Sequence, residues 1–595
     1  MPYFFLFFEM NKYYVVMITL ILFIPIVYSE EYHVKLDGNN SLDGLSNETA
    51  WQTITFAANN ALENSEIFVY GGEYLEDESY GYMYINNPNE NITLASLGEV
   101  IIRVNPDSYR IIHFGTPSLF KIGGFILDGQ NSVDVGITSN SGNKILDGNK
   151  FINILDRGIS LDNAEGVFIN GNRFGELQNP INFKSIWLTD SNNIVMTDNQ
   201  FFTEGGDIIS AFSVNNSSII GNRFGSEDYP IFLDTYSKFV RVIDSDNFVA
   251  ENNEFYIGDG NGIIVHTSSK AVENPRLINN SFFIYHSLNR YGISVGSESE
   301  QDFGLRNAEI LDNKLYMPIE ETSKHNLFVG FTNNSIVSGN YLDGGGYGLA
   351  LKGNYNALIF DNEVYNATTV AIVDNAGWNN KIYDNIVNCN YNRCMRIDNT
   401  ESAGRPLYNS SWYNNTMHIS SGQFAIYIGS SVDIIESGSS FFDNKYYQDE
   451  HEQNIGSYNN SYFTFFDLKN DFGWCDGSDL FASEEIPEIE NISVYGIQPT
   501  SVRVKFNSTE SSTSILGYGV GALENEIEFS DYRLGHEYVL TGLQPKTYYI
   551  YQIRICDNEV NCVDSDILSF RTKKGGGPKL PYFSMVLGNG EFPYW

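Results

Sequence analysis

Gly148-Asn149-Lys150-Phe151, Gly171-Asn172-Arg173-Phe174, Asp198-Asn199-Gln200-Phe201 and Gly221-Asn222-Arg223-Phe224 are four copies of one phrase. Its form is Gly or Asp, then Asn, then a variable residue, then an aromatic or aliphatic one. It continues at Asn253, Asn280, Asn313, Asn340, Asn362, Asn385, Asn415 and Asn444. The closest spacings are 22 or 23 residues, as from Asn340 to Asn362 and from Asn149 to Asn172. Such a period marks a solenoid, in which each repeat packs only on its neighbours. A second phrase, Gly-Ile-x-Leu in its clearest form, starts 14 residues before the Asn at Gly158, Ser185, Ile208, Asn326, Gly348 and Ala371. Alternation of period two, β-branched residues and abundant Gly and Asn exclude paired helices and leave coils of three short strands. Successive coils hydrogen-bond about 4.8 Å apart. The Asn is expected in the tight turn, where it tolerates left-handed backbone, with its side chain in a ladder. The Phe or Leu two residues later would fill the core.

These phrases resemble the pectate-lyase-like right-handed parallel β-helix family, including its nosD-like and surface-protein members. The opening resembles it too: Gly44-Leu45-Ser46, Trp51-Gln52-Thr53-Ile54-Thr55-Phe56-Ala57, then Ile67-Phe68-Val69-Tyr70-Gly71-Gly72-Glu73-Tyr74. The resemblance implies a capping helix followed by the first strand. Independently, Thr49-Ala50-Trp51-Gln52 reads as a capping box, with Trp51, Ile54, Ala58, Ala61 and Leu62 on one face of a helix over about 49–62. A cap is needed because an open solenoid end exposes core and strand edge. The β-helix is expected over 30–480.

The apolar run Val15–Val27 follows Lys12 and ends at Val27-Tyr28-Ser29, the pattern of a signal peptide over 1–29, with Met10 as an alternative start. It is short for a membrane span. A net charge of −39 speaks against nucleic acid, whose phosphates need Lys and Arg, and against an anionic membrane face. Five cysteines fit an oxidising compartment, with Cys389 near Cys394, Cys556 near Cys562, and Cys475 lacking a local partner. The expected location is extracellular or at the cell surface.

The repeat stops near Ile486, and 486–573 reads as short strands between turns. Leu540-Thr541-Gly542-Leu543-Gln544-Pro545-Lys546-Thr547-Tyr548-Tyr549 resembles the Leu-x-Pro-x-Thr-x-Tyr segment of fibronectin type III domains. That resemblance implies a β-sandwich with Tyr549 buried and the pair Cys556–Cys562 across the last hairpin. Phe506 stands where that family usually has Trp. Residues 574–595 form a Gly-rich tail. The whole is therefore all-β, a right-handed parallel β-helix followed by a sandwich.

In the resembled family, substrate lies on the sheet built from the Gly-Ile-x-Leu strands. Period two turns Ile and Leu inward and the x residues outward. The outward series then contains Trp187, Phe232, Phe328, Arg396 and Tyr427, a set suited to stacking sugar rings. The next outward position holds Asp234 and His266 on consecutive coils, where their Cβ atoms would stand about 5 Å apart. Asp259, Arg290 and Tyr291 enter the same stretch, whose longer connections would wall a cleft. An Asp–His pair beside Arg would abstract a proton next to a uronate, and Asp234 with Asp259 would offer paired carboxylates for hydrolysis.

Against catalysis, the chain lacks the Asn-Thr-Asp/Asp-Asp/Gly-His-Gly set of polygalacturonases, the Arg-x-Pro-x-x-Arg of classical pectate lyases and the Asp-Pro-His-Glu of alginate epimerases. No cofactor is required, and no cysteine spacing suits zinc. Gly258-Asp259-Gly260-Asn261-Gly262 is a loose calcium loop with few carboxylates. The reading is a secreted or surface protein that binds polysaccharide or builds an envelope layer, with cell-envelope proteins as further partners. The alternative is a polysaccharide lyase or glycoside hydrolase working on the same face.

Overall fold

The computed structural model describes residues 29–76, 78–176, 184–234, 236–285, 291–296, 304–319, 324–391, 393–398, 407–420, 423–429, 437–448, 454–458, 461–464, 479–482, 487–556 and 562–574. The expected signal segment, Arg290, Cys475 and the Gly-rich tail lie outside them. Parallel strands coil into a β-solenoid, and antiparallel strands follow from Ile489. Two compact units divide the chain: Met1–Pro318 with Lys324–Asn340 and Gly353–Leu358, and Ile319–Ser323 with Tyr341–Lys352 and Ile359–Trp595.

In the first unit the Asn ladder runs from Asn149 through Asn172, Asn199, Asn222, Asn253, Asn280 and Asn313 to Asn340. Each Oδ1 accepts both the backbone N–H and the Nδ2 of the preceding Asn, at 2.8–3.2 Å. The ladder residues are not the left-handed ones. That conformation belongs to the residue before each: Gly148, Gly171, Asp198, Gly221, Asn252, Asn279, Asp312 and Gly339 all have positive φ. The Gly/Asp-Asn dipeptide thus divides its labour. Its first residue tolerates the turn and its second supplies the buried amide. Two positions on, Phe151, Phe174, Phe201, Phe224, Phe255 and Phe282 stack through the core at centroid spacings of 4.5–5.0 Å.

The capping helix is shorter than expected, Ile54–Asn60, and Thr53 rather than Thr49 is its N-cap. Thr49 is held instead by Ser46. Trp51 stays extended because it bridges Val34, stacks on Tyr32 at 4.6 Å and donates its indole N–H to the Leu42 carbonyl. Leu62 is exposed. The buried Glu76 carboxylate accepts the first two helical N–H groups, from Ile54 at 2.7 Å and Thr55 at 2.8 Å. Glu76→Gln exchanges one acceptor for a donor facing an N–H, and should lower stability by about 1–2 kcal/mol, read as a drop in the thermal midpoint.

In the second unit the ladder links Asn362, Asn385, Asn415 and Asn444 in the same way. The strands Ile489–Tyr495, Val502–Gly519, Asn525–Leu540, Tyr548–Cys556, Cys562–Asp564 and Leu568–Arg571 form the antiparallel module. Val504, Phe506, Leu516, Tyr538, Ile553 and Ile555 make its core. Tyr549 is buried, and its hydroxyl accepts the Gln544 N–H at 2.8 Å. Both expected disulfides, Cys389–Cys394 and Cys556–Cys562, are present. Among the described residues no helix is long and apolar enough to cross a membrane.

Candidate functional site

One sheet of the solenoid carries the Gly-Ile-x-Leu strands. In the first unit its outward row reads Tyr84, His113, Thr138, Ser160, Trp187, Ser210, Arg241, Ile264, Ser294 and Phe328, paired coil to coil. Arg241 stands where Phe232 was expected. The next row has Ile243 beside His266 where Asp234 was expected.

The displaced pair belongs elsewhere. Ile231–Phe232 is a two-residue strand pairing with Ile257 and Asp259 in another sheet, and Asp234 lies in the connection after it. Both Ile231-Phe232-Leu233 and Phe239-Val240-Arg241-Val242-Ile243 have β character, but only the second is long enough to fill the sheet. The 14-residue interval already picks it out, because counting back from Asn253 lands on Phe239. His266 Nε2 meets Ser294 Oγ at 3.1 Å. Asp259 Oδ1 accepts the Gly260 N–H, and its carbonyl accepts that of Leu233. The expected Asp234–His266 pair is therefore not formed. Among the described residues no group of three or more His, Cys, Asp or Glu side chains could hold a metal ion.

Phe328 faces outward but is 7% exposed, covered by Tyr291 at 5.3 Å and His325 at 5.9 Å. His325 stacks on Tyr291, and its burial pushes the imidazole pKa down to about 4. In the second unit Arg396 and Tyr427 are register partners. Arg393 lies over the Tyr427 ring at 3.8 Å, and Arg396 pairs with Asp398.

A third outward row escaped the sequence projection: the residue just before each Gly-Ile-x-Leu phrase, such as Arg157, Lys184 and Arg393. The strands read intermediate, buried, buried, intermediate, buried, intermediate, so two inward residues separate the first two outward ones. This row builds a cluster in the first unit around Trp187. Arg157 and Lys184 lie 4.7 and 4.9 Å from its ring and share Asp156, at 3.1 and 3.7 Å. Phe212 leans on the Trp187 ring at 5.0 Å, and Arg241 covers Phe212 while pairing with Asp207 at 3.3 Å. Thr189 donates to Asp162 at 2.7 Å, and Ser210 donates to Asp207. The result is an apolar floor of two rings bordered by three cations, three carboxylates and the Thr189 hydroxyl, while Ser210 is buried against Asp207.

Residues 135–314 match the family described as the right handed beta helix region. The chain is similar to a tailspike protein mutant of E. coli bacteriophage HK620 in complex with pentasaccharide, at 12% identity and TM-score 0.41, over 82% of this chain and 86% of that one. It is similar to the GH136 lacto-N-biosidase from Eubacterium ramulus at 13% identity and TM-score 0.30, over 76% and 67% of the two chains. The Azotobacter vinelandii mannuronan C-5 epimerase A-module follows at 14% identity and TM-score 0.32, over 70% and 91%. At such values neither a site nor an activity transfers. No curated protein matches the chain.

Proposed function

We propose that the chain is an extracellular or cell-surface polysaccharide-binding protein, with the Trp187 cluster as its sugar site. The carrying observation is the composition of that cluster. Sugars present apolar C–H faces and hydroxyls that both donate and accept. A ring floor with donors from Arg157, Lys184 and Arg241 and acceptors from Asp156, Asp162 and Asp207 answers both demands. A purely anionic ligand would gain less here, because each cation already has a carboxylate beside it. The two disulfides suit an oxidising compartment. With Asp234 and His266 apart, the lyase reading loses its acid–base pair.

The test is affinity electrophoresis of the purified chain against a panel of neutral and acidic polysaccharides. Trp187→Ala should weaken retention by roughly 10–100-fold, the usual effect of removing a central aromatic anchor. Phe232→Ala, in another sheet, should leave it unchanged. Equal retention of wild type and Trp187→Ala on every polysaccharide would overturn the assignment.

A further inference from the structure

The antiparallel module meets the solenoid within the second unit through matched outward faces. Along its strand Asn525–Leu540, His536 and Tyr538 point into the module's own core, where both stack on Phe506. By period two, Arg533, Gly535 and Glu537 point out of it. On the solenoid side, Leu342 and Val364 are core residues of Tyr341–Asp343 and Glu363–Tyr365, which leaves Tyr341, Asp343, Glu363 and Tyr365 on the outer surface. Yet Tyr341 and Tyr365 are only 6% and 1% exposed. Something covers them, and the contacts show what. Arg533 pairs with Asp343 at 3.2 Å with both side chains largely shielded from water. Lys505, the strand partner of Glu537, reaches Glu363 at 3.8 Å. Glu537 is paired with Arg503 at 2.8 Å, and Asn388 donates to Ser511 at 2.7 Å. Gly535 lies so close to the coils that a Cβ there would stand 2.9 Å from both Glu363 Oε2 and Tyr365 Oη. Its glycine answers to close approach rather than to an unusual φ.

We infer that this module is a clasp seated on the flank of the coils at Tyr341–Asp343, Glu363–Tyr365 and Ile386–Cys389, and not a free spacer reaching for another partner. The surface it would offer, centred on Arg533, Gly535 and Glu537, is spent on its own chain. Two oppositely charged pairs, Arg533–Asp343 and Lys505–Glu363, cross the seat and give it its register, while Arg503–Glu537 ties two strands of the module together. Shielded pairs of this kind cost dearly when one partner is removed or reversed, because the other is left buried and uncompensated.

Acetylation of tyrosine by N-acetylimidazole on the full chain, followed residue by residue by mass spectrometry, reads the seat directly. In wild type, Tyr341 and Tyr365 should resist. Arg533→Glu and Asp343→Arg should each speed modification of both tyrosines at least about tenfold, as local opening becomes frequent. The double variant, which restores an opposite-charge pair, should recover most of the protection. Asp343→Arg is made in the coils, so the module's own fold is not at stake in that arm. Gly535→Leu should open the seat by steric pressure alone. Single variants as protected as wild type, or a double variant worse than either, would overturn the clasp.

Discussion

Asn222→Leu should lower stability by about 3–6 kcal/mol, among the largest effects available to one side chain in this fold. Asn222 Oδ1 accepts the Asn199 backbone N–H at 3.0 Å and Nδ2 at 2.9 Å, while its own Nδ2 serves the Met196 carbonyl at 2.9 Å and Asn253 Oδ1 at 3.1 Å. Leucine fills similar space but removes all four bonds. The Asn199 N–H then lies buried without that acceptor, and each orphaned group costs about 1–3 kcal/mol. Asn222→Asp keeps the acceptor but turns a second oxygen toward the Met196 carbonyl, so it should be no better. The proper contrast is Asn274, in an exposed ladder between Asn247 and Asn307 at left-handed φ. Asn274→Gly should stay within about 0.5 kcal/mol of wild type, because water replaces the lost bonds and glycine accepts the φ. Urea midpoints of the three variants test this. In a stack coupled only to nearest neighbours, Asn222→Leu should also split the transition into two steps.

The same ladder shows what was legible in the sequence. The Asn phrase and the 14-residue interval reflect contacts that recur in every coil, so they survive as spacing and carry the fold. The assignment of the left-handed residue failed by one position, because Gly, Asp and Asn all tolerate that conformation and the phrase places two of them side by side. The face was misread where the pattern is not periodic. Pro230-Ile231-Phe232-Leu233-Asp234 imitates a sheet strand, and only the distance to Asn253 reveals that Phe239–Ile243 holds the position. Arg157 and Lys184 were missed because strict alternation breaks at the two consecutive inward residues after each. The Trp187 cluster therefore needed coordinates, although Trp187 itself did not. The clasp had no sequence signal at all: Arg533 and Asp343 are 190 residues apart, and nothing local distinguishes them from solvated charges.

Asp374 carries a strong pH dependence of its own. It occupies an inward position, in register with Leu351 and Ile397, where burial pushes its carboxyl from 3.8 up to about 7, opposed by one weak bond from Asn380 at 3.3 Å. Its Oδ2 is buried without a hydrogen-bond partner. The sign follows from proton counting. Between pH 4 and 7 the folded chain keeps a proton on Asp374 that the unfolded chain has released, so the Asp374 contribution to stability falls as pH rises. One such group contributes a slope of up to about 1.4 kcal/mol per pH unit. The contribution is intact below pH 4, lost progressively through the window, and constant above 7. Asp374→Asn is nearly isosteric and neutral throughout, and should remove this slope. The variant should match wild type or fall slightly below it at pH 4, where an unpaired amide replaces an unpaired acid. It should exceed wild type by a few kcal/mol, to order of magnitude, at pH 8. The difference between the two proteins isolates Asp374 from the self-repulsion of a chain with net charge −39, which both share at pH 4 and differ in by one charge above pH 7. Parallel stability curves from pH 4 to 8 would mean that Asp374 ionises in the folded chain as freely as in water, and that the coil around it is open to solvent.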